Sequence, residues 1–363
     1  MRVCLFIGHH KVGSTALQAF LSRNAGALAR AGILYPPVES EGMAILLRQL
    51  ADPEAPAQTS FNAREPHNAL VFRMKHEALG AGVPPWHPGL PSVHQMLLSI
   101  ANQVRFLQPR AIILCAESFS TLADRPALID RLAQLFASAD VSLHCTLRRP
   151  DRHLASWHAQ RLRFGEAPEP LSGAGLDDYL DTIHVDYARV IEAWRAAFPR
   201  ARLSLRRYDE VLAAGGSIED FRLESGLDFP DGLEAPERLN PSLHPALIAI
   251  GRRITLQSAP GQAIPVIEAL IEASSGLGDP APREVELLGP ANRARLAARF
   301  APIAARLDAV AGRRLFPDLD GLAQLRPVDE AQAQEALLPR VLARLPRDVA
   351  RLVRRATTED QPA

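Results

Sequence analysis

The chain reads as an α/β protein: a doubly wound, mostly parallel sheet flanked by helices, with a helical C-terminal portion. Three observations predict this. Short apolar runs alternate with helical patterns through about residue 225. One run, Ala111-Ile112-Ile113-Leu114-Cys115-Ala116, has no polar face, as a strand covered on both sides requires. From 240 to 312 helical patterns continue with no strand among them.

The elements follow in order. Residues 2–8 form a buried strand, and 14–31 a helix with Leu17, Phe20, Leu21, Leu28 and Ala31 at helical spacing. Ile33 to Tyr35 is a second short strand ahead of Pro36-Pro37. Segments 52–66 and 82–92, rich in Pro, Ala and Gly, read as loops around a helix at 67–79. Val93, Met96, Leu97, Ile100, Val104 and Leu107 mark one side of a helix over 93–107. The strand at 111–116 precedes a helix after Pro126, a strand at 141–147 and a helix opened by Pro150 and running to about Phe164. A helix at 186–198 and a strand at 202–207 complete the alternation. The expected organisation is one α/β domain over 1–320, its 240–320 part helical, and a helical, partly frayed tail over 321–363. The tail's Arg340, Arg344, Arg347, Arg351, Arg354 and Arg355 fit a solvated amphipathic helix.

At 363 residues the chain is long enough for a large core. Its formal net charge is +0, so the totals predict no nucleic-acid or anionic-membrane partner. No run of 18 apolar residues occurs, so no membrane span is expected. Cys4, Cys115 and Cys145 are an odd number in apolar runs and read as buried free thiols of a reducing compartment. With no room for a signal peptide ahead of the first strand, the expected location is cytoplasmic.

Only two of the 41 basic side chains that are not histidine are lysines, Lys11 and Lys75. Lys11 sits in Gly8-His9-His10-Lys11-Val12-Gly13-Ser14-Thr15, between an apolar strand and a helix. A glycine loop leading into a helix N-terminus suits an anion, because backbone N–H groups and the helix dipole both favour negative charge. The loop is P-loop-like, but a Walker A motif needs Lys directly after its second Gly, and Ser14 stands there. Downstream, Arg148 ends a strand and Ser156 lies two turns along the next helix; a guanidinium fork and a hydroxyl suit a phosphate monoester. Arg149 and Arg152 read as a solvated helix start, and Trp157 and Trp194 as core. Glu117 ends the 111–116 strand and would face a cleft at the sheet's C-terminal edge. His9, His10, His67 and His76 are each better read as structural or solvated, and no Cys/His spacing makes a zinc site.

Together these residues resemble the sulfotransferase family that uses 3′-phosphoadenylyl sulfate (PAPS). Gly8 to Gln18 looks like the family's 5′-phosphosulfate loop, whose pattern is Lys-Thr-Gly-Thr-Thr. Arg148 and Ser156, eight apart, are similar to its 3′-phosphate motif. Leu205 to Tyr208, Asp220-Phe221 and Asn240-Pro241-Ser242-Leu243 look like later landmarks of bacterial members, so the resemblance covers roughly residues 2–320. The chain departs from the pattern at Val12 and Ser14, each standing for Thr. The resemblance implies transfer of a sulfuryl group from PAPS to an acceptor hydroxyl or amine, with no metal. Lys11 would stabilise the leaving phosphate; Gly13, Ser14 and Thr15 would hold the 5′-phosphate, and Arg148 and Ser156 the 3′-phosphate. Tyr208 resembles a position near adenine, an edge tyrosine being the alternative. Glu117 matches a base found in glycan-acting members; its alternative role is to order Lys11 or cap a helix. The acceptor, a small molecule or a glycan, would bind over residues 40–95 and the helices after 240. Two rival readings are a P-loop kinase or NTPase, and a non-catalytic nucleotide-binding protein of the same fold.

Overall fold

The computed structural model describes residues 1–52, 60–235 and 242–358. Asn240 and Pro241 of the last landmark lie outside these residues, as does part of the 52–66 segment. The chain opens with β1 (Arg2–Phe6), α1 (Ser14–Arg23), α2 (Ala25–Arg30), β2 (Ile33–Leu34), α3 (Ser40–Ala51), α4 (Phe61–Arg64), α5 (Pro66–Leu79) and α6 (Val93–Leu107). It continues through β3 (Ala111–Cys115), a 3₁₀ turn (Glu117–Asp124), α7 (Pro126–Leu135), β4 (Asp140–Leu147), α8 (Pro150–Arg163), α9 (Tyr187–Ala197), β5 (Arg202–Arg207), α10 (Tyr208–Ala213) and α11 (Ser217–Ser225). Last come α12 (Ile248–Gln257), α13 (Ile264–Ser274), β6 (Val285–Glu286), α14 (Gly289–Ala311), β7 (Val328–Asp329), α15 (Glu330–Leu342) and α16 (Arg347–Thr358). Two compact units result, each built from two stretches of chain: Met1–Arg148 with Tyr187–Leu239, and Arg149–Asp186 with Asn240–Ala363.

The first unit holds a five-stranded sheet of order β2-β3-β1-β4-β5. Every pairing in it is parallel. Phe6 of β1 lies beside Cys115 of β3 and His144 of β4, so the three C-terminal ends form one edge. β1 is central; its own connection leads to one side of the sheet, and β4 and β5 lie on the other. In such sheets ligands bind outside the strand C-termini, where the order reverses. One face packs Cys4, Phe6, Ile113 and Cys115 against Leu17, Phe20 and Leu21 of α1, Leu28 of α2 and Phe221 of α11. The alternate residues Val3, Leu5, Ile7, Ile112 and Leu114 are equally buried, so the strands are covered on both faces. Trp194 is core, as expected: its indole N–H donates to the Phe119 carbonyl at 3.3 Å.

Local chemistry explains where the helices depart from expectation. The helix expected over 14–31 breaks at Asn24, whose amide donates to the Phe20 and Glu234 carbonyls at 2.8 and 2.9 Å and accepts from the Glu234 N–H at 2.8 Å. Asn24 keeps its backbone bonds to Phe20 and Leu28, while its side chain shares the Phe20 carbonyl and ties the break to Glu234. α3 and the short α4 occupy part of the stretch expected to be loop or left without an element.

The second unit is helical except for β6 and β7, which pair in parallel two residues at a time, so the region after 240 is not strand-free. The C-terminal helices carry buried faces: Ala333, Leu337 and Val341 of α15 and Ala350, Val353 and Ala356 of α16 are buried. Arg149 is not solvated either. It is 5% exposed and pairs with Asp151 at 2.8 Å and Asp318 at 2.8 Å. Asp151 also takes Arg293 and Arg326. Burial pushes the Asp151 carboxyl up, but Arg149 and Arg326 outweigh it and hold it at about 2. Trp157 is half-exposed and stacks on His184 with ring centres 4.6 Å apart. Among the described residues, no helix is long and apolar enough to cross a membrane.

Candidate functional site

The site begins where β1 outruns its assigned end. The Ile7 N–H donates to His144, Thr146 donates to Gly8, and His9 donates to Thr146, at 2.9, 3.1 and 3.1 Å. The chain then turns through three left-handed residues, Gly8 (φ 96°), Lys11 (φ 60°) and Gly13 (φ 87°). A Cβ on Gly8 would stand 2.7 Å from the Glu117 carbonyl oxygen, so only glycine permits this approach between the ends of β1 and β3. Lys11 has no such freedom, and its left-handed backbone costs roughly 1–2 kcal/mol. Strain of this kind collects at functional sites. Alternating left-handed residues form the backbone concavities that receive anions. Gly13 is the N-cap of the ten-residue α1, and no side chain caps that helix. Its dipole therefore favours negative charge at this end, although the Ala16 N–H is already bonded to the Gly13 carbonyl at 3.1 Å. Ser217 of α11 donates to the Gly13 carbonyl at 2.8 Å and braces the turn from behind.

The departure at Val12 has a structural reason. Val12 is fully buried in the cluster under α1 and pins the loop to the core, where a Thr hydroxyl would be unsatisfied. Ser14 is 4% exposed, and its hydroxyl hydrogen-bonds the Glu117 carboxylate. Thr15 beside it is half-exposed.

Glu117 is held from three directions. The Gln18 amide donates to its Oε2 at 3.1 Å and to the Cys115 carbonyl at 3.2 Å. The Asn68 amide donates to its Oε1 at 3.1 Å. Ser14 supplies the third bond. The same Asn68 amide donates to Glu65 Oε2 at 3.1 Å, which makes Asn68 a bridge between two carboxylates. Burial raises the affinity of Glu117 for a proton, and the negative charge of Glu65 raises it further.

Arg148 follows β4 at the same edge, two residues from the Thr146 that pairs with Gly8 and His9. Tyr187 donates to its carbonyl at 2.9 Å, and its guanidinium lies 5.1 Å from the ring centre of Tyr208, the first residue after β5. Lys11, Gly13, Ser14, Thr15, Glu117, Arg148 and Tyr208 thus all belong to the C-terminal edge of one sheet. Ser156 does not: it is a half-exposed residue of α8, in the second unit.

The histidines have structural surroundings. His67 is fully buried, accepts the Cys115 N–H at Nδ1 (3.2 Å) and is kept neutral by burial, its pKa about 3. His76 bonds the Ala81 carbonyl at 2.8 Å. His9 is 1% exposed, with its ring 5.0 Å from that of Tyr187. Three residues escaped the reading of the sequence: Gln18, Glu65 and Asn68. Gln18 could have been found, because it lies four positions after Ser14 and so on the same helix face.

No family profile matches this chain, and no solved structure matches it. A protein of Archaeoglobus fulgidus described as an uncharacterized protein is 31% identical over 133 residues. The similarity spans 35% of this chain and 34% of that one.

Proposed function

We propose that the chain is a sulfotransferase that moves the sulfuryl group of PAPS to an acceptor hydroxyl or amine. One observation carries the reading: a strained Lys11 between left-handed Gly8 and Gly13, on a helix without a side-chain cap, with Glu117 packed against Gly8. A compact ammonium on such a loop suits a single bridging oxygen better than a guanidinium would. The loop would hold the 5′-phosphate. Arg148 would bind the 3′-phosphate by a bidentate contact, with adenine near Tyr208.

In the transfer, the acceptor oxygen bonds to sulfur and the bond from sulfur to the bridging oxygen breaks. The bridging oxygen keeps the electron pair and leaves as part of adenosine 3′,5′-bisphosphate, its charge offset by Lys11. The acceptor's proton passes to Glu117. As in loose phosphoryl transfer, positioning and electrostatics do most of the work. A base of raised proton affinity is better matched to neutral pH than an ordinary carboxylate. The three cysteines are free and buried, which fits a reducing compartment such as the cytoplasm. A small-molecule or glycan hydroxyl is the acceptor expected.

Calorimetry tests this directly. Adenosine 3′,5′-bisphosphate should bind wild type without Mg²⁺, and Arg148→Ala should abolish that binding. ADP with Mg²⁺ should be indifferent. Binding of ADP–Mg²⁺ with no preference for the 3′-phosphate would sink the proposal and favour a kinase or NTPase.

A further inference from the structure

Glu117 belongs to a longer chain of side chains. The Arg64 guanidinium donates twice to Glu65 Oε1, at 3.1 and 2.7 Å. The other Glu65 oxygen accepts from Asn68, whose amide also donates to Glu117. The Asn68 carbonyl oxygen accepts from the Ser118 hydroxyl at 2.6 Å, which fixes the amide's orientation. Glu65 is 9% exposed and Asn68 2%, so neither is a solvated surface group. We propose that Glu65 and Asn68 are positioning residues for Glu117, Asn68 fixing its carboxylate and Glu65 placing a second carboxylate behind that amide during transfer. This rests on the sulfotransferase reading of the site.

The direction of the effect follows from charge. Arg64 donates twice to one Glu65 oxygen, and the other oxygen faces Asn68. One amide group, that of Asn68, separates the two carboxylates. Two nearby carboxylates resist ionising together, and the charge of Glu65 raises the proton affinity of Glu117. The other titratable groups facing Glu117 are Tyr35, after β2, and Cys115, at the end of β3. Burial raises both well above their ordinary values, so they stay neutral near pH 7. Gln18 and Ser14 from α1 are uncharged. Glu65 is therefore a negative charge that acts on Glu117 through the fold.

The test reads the Glu117 carboxyl itself. Glutamate δ-carbons labelled with ¹³C are titrated by NMR, and the Glu117 signal is identified by its loss in Glu117→Gln. In Glu65→Gln the Glu117 titration should move to lower pH, and the acidic limb of kcat/KM should move with it. Asn68→Ala should lower kcat by about a hundredfold through lost orientation. Adenosine 3′,5′-bisphosphate should still bind both variants with unchanged affinity. A merely structural pair would lower stability and leave the Glu117 titration where it was. An unmoved titration in both variants, with bisphosphate still bound, overturns the coupling alone. Failure of the wild type to bind bisphosphate overturns the transfer reading itself, whatever the titration shows.

Discussion

At the residue scale, Lys11 and Gly8 make opposite demands on the loop. On the proposed reading Lys11 acts through its ammonium, so Lys11→Arg should keep bisphosphate binding within a few-fold yet lower kcat by about a hundredfold or more, measured as sulfated product per minute. Equal turnover in Lys11→Arg would remove Lys11 from the chemistry. Gly8 is there for what it lacks. Gly8→Ala adds a Cβ at 2.7 Å from a backbone oxygen and keeps a left-handed φ, so it should destabilise the fold by about 2 kcal/mol or more in urea denaturation. Both residues were legible in the sequence, Lys11 through the scarcity of lysine and the glycines through their place between strand and helix. Glu65 and Asn68 were not. They meet Glu117 from about 50 residues away, and no spacing or periodicity reports a contact made by the fold. Ser14 was legible as a site residue, but its bond to Glu117 was not.

At the element scale, legibility depended on whether an element carries its own boundary signals. α6 does. Ser92 accepts from the Gln95 N–H at 3.3 Å, and the Gln95 side chain accepts from the Ser92 N–H at 3.0 Å, closing a capping box ahead of a clean apolar stripe. Ser92→Ala should therefore lower stability by about 1 kcal/mol, visible as a shifted urea midpoint with an unchanged slope. The helix-breaking role of Asn24 depends on Glu234, some 200 residues on, so the periodicity of 14–31 runs through the break unmarked. β6 and β7 contain two residues each, too few for any alternation to register. α16 was legible as a helix, but its buried stripe of Ala350, Val353 and Ala356 sits under an arginine-rich surface that dominates its composition.

At the scale of the whole molecule, buried histidines govern the response to acid. His67 and His144 in the first unit are held neutral by burial, each with a pKa of about 3, and His158 in the second at about 4. Below pH 6.5 an unfolded histidine takes a proton that these folded ones refuse. The unfolded state then binds more protons, so stability falls as pH drops from about 6.5 toward 3. At pH 5 each of the two deepest histidines accounts for about 2 kcal/mol of that loss. The urea midpoint should fall between pH 7.5 and pH 5, and His144→Gln should flatten the fall; an identical slope in the variant would assign it to other groups. Asp151 contributes only lower still: held at about 2 against an ordinary 3.8, it releases its ion-pair stability as pH falls through that interval. A last whole-molecule consequence comes from the near-total use of arginine. Reagents that modify primary amines have just two side chains to find, Lys11 on the loop and Lys75, which donates to Thr121 at 3.4 Å. Reductive methylation with ¹³C-formaldehyde would label these two side chains and the terminal α-amine, and Lys11→Arg would identify the loop signal, whose response to an arriving anion then reports on the loop directly.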